Sequence, residues 1–339
     1  MLNQKENYLR TLHHQIPEYI PKYTFGILPG DPSNPPNCIL EPEILADHRW
    51  RGGGKDHWGV EYISSPETAG ALIPKTWDYI LPDITKWRDV IKAPSLEGID
   101  WEAMAKKSLD HCGVNREETA IAFNLHFGFF QNLMAFMGFE DGLMMFYEEP
   151  EEVEALLDYI CTFYCTVAEK IIDYVKPDVF TMMDDTASAL NMFISPDMYR
   201  EFLVPCYKRQ AKFGIERGLP ITFHNCGHCE AVIPDMVDFG VTAWDPAQPM
   251  NDLKKIKADY AGKLTIMGGW HADGRLLSAD CTDEEIRQSV YDTVNMLAPN
   301  GDFCWMGSFM GTGPKDTVSA HKNKVLSETF DEISHTFYK

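Results

Sequence analysis

The sequence predicts an α/β protein folded as a (β/α)8 TIM barrel with an N-terminal helical and irregular extension, and three observations predict it. From Thr119 onward, short apolar runs alternate with long amphipathic segments, the rhythm of successive strand–helix units. The segments between the runs are long enough to return the chain and start a parallel neighbour. No glycine-rich dinucleotide or phosphate fingerprint (GxGxxG, or GxxxxGK followed by Ser or Thr) occurs in the chain. An open doubly wound sheet stays as the alternative, because periodicity alone does not close a barrel.

The strand-like runs are Ala120–Leu125, Val179–Met183, Pro220–Phe223, Val241–Trp244, Leu264–Met267 and Phe303–Met306, with Tyr23–Ile27 and Trp58–Ile63 as earlier candidates. Pro150–Val175 reads as a helix whose acidic first turn suits a helix N-terminus. Ser195 followed by Pro196 reads as an N-cap with proline in the first turn, starting a helix to Arg217 that Gly218 stops. Thr282 with Glu285 three residues later reads as a capping box. Residues 1–115, rich in Pro, Gly and Trp, hold the irregular extension and the first barrel elements. Within them Ile27–Pro42 cannot be a helix, because Pro32, Pro35 and Pro36 break every register. A non-regular stretch of that length either covers a site or is a surface extension.

No linker or low-complexity segment divides the chain, so residues 1–339 are expected to form one domain. Net charge is −21, from 51 acidic against 30 basic side chains, a field that repels polyphosphate and excludes nucleic acid as an expected partner. The same acidity either keeps the protein soluble or presents a docking surface for a basic patch. The N-terminus lacks the apolar segment of a signal peptide, and no window approaches the ~18 apolar residues of a spanning helix. A cytoplasmic protein with no membrane association is expected. Its nine cysteines would then be reduced and free to bind metal.

Barrel enzymes build their sites from strand C-terminal ends and the loops that follow. Four such places carry chemistry here. The richest is His224-Asn225-Cys226-Gly227-His228-Cys229, after Pro220–Phe223, the fifth strand-like run when the two earlier candidates are counted. Strand alternation puts His224 and Cys226 on one face, where imidazole and thiolate suit zinc and Gly227 permits a sharp turn. The plainer readings are a buried cysteine beside a hydrogen-bonded histidine, or a redox pair Cys226-x-x-Cys229. The second place is Asp184-Asp185. Adjacent strand residues point opposite ways, so one of them faces the lumen as ligand, acid or substrate anchor, unless it is a loop or N-cap acid. Third is Gly268-Gly269-Trp270-His271, where His271 is a further ligand, an acid or a solvated loop residue. Fourth is Gly301–Pro314, in which Cys304 would lie roughly 13 Å deeper than Ser308 and reads as core. Phe127, Phe129, Phe130, Phe136, Met137, Met144, Met145, Met192 and Phe193 are expected mostly in the core, with a subset at the mouth to suit a flat apolar substrate.

The motif order resembles the uroporphyrinogen-decarboxylase-like superfamily over roughly residues 140 to 335. It comprises an acid after the fourth strand, Ser195-Pro196-x-x-Tyr199-x-x-Phe202-x-x-Pro205, then His224-Asn225-Cys226-Gly227. The His-x-Cys-Gly element is similar to that of zinc-dependent cobamide methyltransferases. The Arg-Gln-Ala-Gly-Arg element of the true decarboxylases is missing, so tetrapyrrole decarboxylation is not expected. Thiol-methylating members place a second cysteine after strand eight, where this chain has Ser308. Zinc at His224 and Cys226 would then need Asp184, Asp185, Asp245 or His271, with His271 the expected third ligand. The resemblance implies an enzyme of the O-demethylase kind, with Zn2+ as cofactor and Asp184, Asp185 and His271 as catalytic candidates. Such an enzyme moves a methyl group from a methoxylated aromatic to the corrinoid (cobalamin) carried by a partner protein. A methylcobamide:thiol or:folate methyltransferase, and a non-catalytic barrel binding tetrapyrrole or corrinoid, are the alternatives.

Overall fold

A computed structural model describes residues 2–24, 35–45, 53–64, 72–125, 128–311 and 316–339. Parts of Tyr23–Ile27, Ile27–Pro42 and Gly301–Pro314, together with Phe127, lie outside them. Among the described residues, a seven-stranded parallel sheet runs β1 (Asn37–Leu40), β5 (Ala120–Asn124), β6 (Val179–Met183), β7 (Ile221–His224), β8 (Ala243–Ala247), β9 (Thr265–Gly269) and β10 (Phe303–Met306). Sequential strands of this sheet are neighbours throughout, so the chain winds in one direction, with the connecting helices packed on the face opposite the N-terminal helix Gln4–Leu12. A separate antiparallel ribbon joins β2 (Gly54–Lys55), β3 (Glu61–Ser64) and β4 (Leu72–Pro74).

Two expectations are corrected. The Trp58–Ile63 run contributes to the ribbon instead of the parallel sheet. Trp58 sits in a turn held by Asp56, whose carboxylate accepts from the amides of Trp58 and Val60 at 2.9 Å each. The first sheet strand is instead Asn37–Leu40, directly after the proline cluster that marks the region as irregular. Proline ends at Pro36, and Asn37-Cys38-Ile39-Leu40 is free to pair with β5.

The outermost strands β1 and β10 are bridged by Pro21–Thr24. The Tyr23 amide donates to the Trp305 carbonyl at 2.8 Å and the Trp305 amide to the Pro21 carbonyl at 2.9 Å. On the other side a side chain replaces the ladder: Asn37 Nδ2 donates to the Thr24 carbonyl at 3.1 Å, and Asn37 Oδ1 accepts from the Thr24 amide at 3.4 Å.

Alternation along the strands sorts the core into two clusters. Ala120, Ala122, Val179, Ala243, Met267 and Cys304 pack inward with Tyr23 and with Tyr8 and Leu12 of the N-terminal helix Gln4–Leu12. Ile121, Phe123, Phe180, Met182, Phe223, Trp244, Ile266 and Phe303 belong to the larger cluster that meets the helices. Three alanines on the inner face leave room for the Tyr8 ring, and the helix is tied in by Thr265 Oγ1 donating to the Thr11 carbonyl. Cys304 is fully buried in this inner packing.

The predicted helices form for the expected reasons. Pro150–Val175 is helical over that whole span, and Thr282 with Glu285 completes a capping box. The Ser195 side chain caps the next turn, but the helix then widens. Pro205 has no N–H to return to the fourth carbonyl before it, and the Val204 amide bonds back to Tyr199, giving a π turn over Tyr199–Leu203. No described helix is long and apolar enough to cross a membrane.

Replacing the buried Asn37 by alanine removes both of its bonds to the exposed Thr24 and with them one side of the seam. Stability should fall by about 1–3 kcal/mol, read as a lower midpoint in urea with unchanged m.

Candidate metal centre

The parity that places Ala243 on the inner face of the sheet also places Asp245 there, and the same parity on β7 puts Thr222 and His224 on that face. His224 is register partner of Asp245 on the neighbouring strand, so the two side chains meet on one face. His224 Nδ1 lies 2.7 Å from Asp245 Oδ2, and that oxygen also accepts from the Tyr23 hydroxyl at 3.0 Å.

Beyond His224 the chain turns at Gly227, which has φ +91; a Cβ there would sit 2.5 Å from the Ala187 carbonyl oxygen, so no side chain fits. The Gly227 amide donates to Gln248 Oε1 at 2.7 Å, and its carbonyl accepts from Asn251 Nδ2 at 2.9 Å. This pinned turn brings Cys226 Sγ to 3.3 Å from His224 Nε2.

At the end of β6 the two acids part. Asp184 is fully buried and turned toward the helix Phe129–Met137, accepting from the amides of Phe129, Phe130 and Gln131 at 2.8, 2.9 and 3.1 Å and from the Tyr207 hydroxyl at 2.6 Å. Burial pushes its pKa up to about 7, against the opposing pull of Tyr207 and these amides. Asp185 faces the site. Its Oδ1 accepts from the Cys226 amide at 2.8 Å and stands 3.7 Å from His224 Nε2, while Gln131 Nε2 donates to Oδ2 at 3.2 Å.

Burial by itself disfavours a charged His224 ring, yet the Asp245 charge and hydrogen bond, helped by Cys226, raise its pKa well above the ordinary value. Burial raises the Cys226 thiol, and His224 opposes that rise. The pocket therefore favours positive charge at His224 Nε2.

Among the described residues, Asp185, His224 and Cys226 form the group whose ligand atoms converge, all within 4.8 Å of one another. Tetrahedral zinc with bonds of about 2.0–2.3 Å separates its ligand atoms by about 3.4–3.6 Å. The observed 3.3 Å between Nε2 and Sγ and 3.7 Å between Nε2 and Oδ1 bracket that spacing. The donor set fits a zinc ion with a fourth position left open, and Asp245 behind the imidazole supplies the outer hydrogen bond that metal-bound histidines keep.

The other candidates lie elsewhere. His271 is exposed in the loop after β9 and outside the converging group. Ser308 is exposed after β10. Cys229 is buried with its sulfur 3.6 Å from the Asn225 carbonyl, and it and Cys226 are free thiols. Phe129, Phe130, Phe136 and Met137 are core, Met192, Phe193 and Met145 are half-buried, and Met144 is exposed. Gln131, Gln248 and Tyr23 carry no signal in the sequence that assigns them to this site. Asp245 does, in its parity with Ala243 at a strand end.

The parallel α/β sheet, apart from the site itself, is what the comparisons to known proteins bear on. The uroporphyrinogen decarboxylase (URO-D) family model matches residues 122–303, and the chain belongs to this family. Among solved structures, a methyltransferase from Methanosarcina mazei superposes over 100% of both chains at 16% identity with a TM-score of 0.60, a likeness of fold. Dispersin B aligns over 98% of this chain and 94% of its own at 10% identity, with a TM-score of 0.38. No curated protein sequence matches.

Asp184→Ala would strand three helix-terminal amides and the Tyr207 hydroxyl in the core. A loss on the order of 3 kcal/mol is expected, measured by chemical denaturation, whereas Asp185→Ala, at a half-buried position, should cost far less stability.

Proposed function

We propose that the chain is a zinc-dependent methyltransferase that moves a methyl group from a methoxylated aromatic substrate to the cobalt of a separate corrinoid protein. The observation that carries the reading is the convergence of Asp185, His224 and Cys226 at the strand ends of a URO-D-family fold. We take Pro21–Thr24 as the eighth member of the ring, closing the sheet into a barrel whose mouth holds these residues.

Asp185 and Cys226 would ligate as anions and His224 as a neutral imidazole, so the three balance a divalent charge. Zinc held there would supply Lewis acidity that stabilises the departing phenolate. The chain's own residues do the rest. Asp245 and Tyr23 orient His224, the Cys226 amide holds Asp185, and Gln131 fixes the far carboxylate oxygen. Met306, on the inner face at the end of β10 and half-buried, offers apolar surface to a flat ring. The partner's reduced corrinoid would supply the nucleophile that accepts the methyl group, with the electron pair of the broken carbon–oxygen bond leaving on the phenolate oxygen. Positioning is the larger part of the rate effect, because the nucleophile comes from outside.

Protein purified without added metal should carry near-stoichiometric zinc, and Cys226→Ser or His224→Ala should lose it. Absence of zinc from the wild type overturns the zinc assignment. In a demethylation assay with methoxylated aromatics, product should form only when the reduced corrinoid protein is present, and turnover without it overturns the methyl-transfer reading.

A further inference from the structure

We propose that Tyr23, Asp245 and His224 form a positioning relay that links the seam of the barrel to the metal ligand. The inference rests on the metal reading above and concerns residues that do not themselves ligate.

The hydrogen bonds determine the state of the ring. Asp245 Oδ2 accepts from the Tyr23 hydroxyl at 3.0 Å and lies 2.7 Å from His224 Nδ1. A carboxylate oxygen already accepting from a phenol takes a second donor, so Nδ1 carries the hydrogen. That leaves Nε2 as the ring nitrogen facing Cys226 Sγ at 3.3 Å and Asp185 Oδ1 at 3.7 Å. Without Asp245, the tautomer with hydrogen on Nε2 would present a donor where a lone pair is needed.

The orientation of Asp245 is determined in turn from two sides. It is held beside β7 by the Asn225 amide donating to the Asp245 carbonyl at 2.8 Å, and its side chain is met by Tyr23 from a segment on the far side of β9 and β10. Tyr23 is in place only because its own amide bonds to Trp305 and the neighbouring Thr24 bonds to Asn37. The other oxygen, Asp245 Oδ1, is buried without a hydrogen-bond partner, so both orienting contacts converge on Oδ2. The seam that completes the sheet thus holds the ring that would hold the metal.

The test compares zinc affinity, by chelator competition, in the wild type, Asp245→Asn and Tyr23→Phe, with the visible spectrum of each protein carrying Co2+ in place of zinc. Asp245→Asn should bind zinc about 10- to 100-fold more weakly and shift the cobalt bands. Tyr23→Phe should move both readouts in the same direction by less, with the circular dichroism of the wild type. Folded variants with wild-type affinity and an unchanged cobalt spectrum overturn the relay alone. If Asp245→Asn does not fold, Tyr23→Phe decides the matter by the same two readouts. A wild type that binds neither zinc nor Co2+ overturns the metal reading, and the relay with it.

Discussion

At the end of β6 the buried Asp184 carboxylate gathers three amides from the first turn of the helix Phe129–Met137, and the placement of the mouth follows from that contact. A helix N-terminus carries unpaired N–H groups and partial positive charge, and a carboxylate buried against it satisfies both. The approach is so close that a Cβ on Gly128 would sit 2.1 Å from Asp184 Oδ1, which restricts that position to glycine. With Asp184 committed outward, alternation turns Asp185 toward the site. Gln131, three residues into the chain after Gly128, then reaches the second oxygen of Asp185. One structural acid places the helix, and the helix steadies Asp185 beside it.

The inner packing sets the depth of the site. Alanines at 120, 122 and 243 admit Tyr8 and Leu12 beneath the strands, and Cys304 and Met267 fill the remaining space. Above that layer the inward positions turn polar: Thr181 and Thr222 share a hydrogen bond at 2.9 Å, and His224 and Asp245 follow one step nearer the mouth. Buried polar groups in such a layer need partners, and Thr181, Thr222, His224 and the Oδ2 of Asp245 find them across neighbouring strands in register.

Much of this was legible in the sequence, and for identifiable reasons. Six runs after Thr119 became strands because their neighbours are helices with clear caps, such as Thr282 with Glu285. His224 and Cys226 were legible as a pair because period-two alternation is strict. The fate of Asp184 and Asp185 was legible only as a choice between two directions, since which acid faces inward depends on where the helix Phe129–Met137 docks. The ribbon and the first strand were hidden for a different reason. Short strands near prolines and glycines lack periodicity, so Asn37–Leu40 and Glu61–Ser64 differ in the pairing they find and not in their pattern. Tyr23 and Gln131 reach the site through long-range packing, which no local pattern encodes.

On the proposed metal reading, the charge balance of the site suits a cation. Asp185, Asp245 and Cys226 surround one imidazole in a largely buried pocket, and the elevated pKa of His224 expresses the same demand for positive charge. A proton on Nε2 meets that demand with a single charge and leaves the thiol protonated. The proposed divalent ion at the same nitrogen would supply two charges, displace that proton and favour the thiolate at neutral pH. Asp245 would then remain the counter-charge behind the ring, held by Tyr23, with Asp185 and Cys226 placed to share the ion in front. The two carboxylates are therefore not interchangeable: the one on β8 acts through the histidine, and the one after β6 acts on whatever the histidine holds.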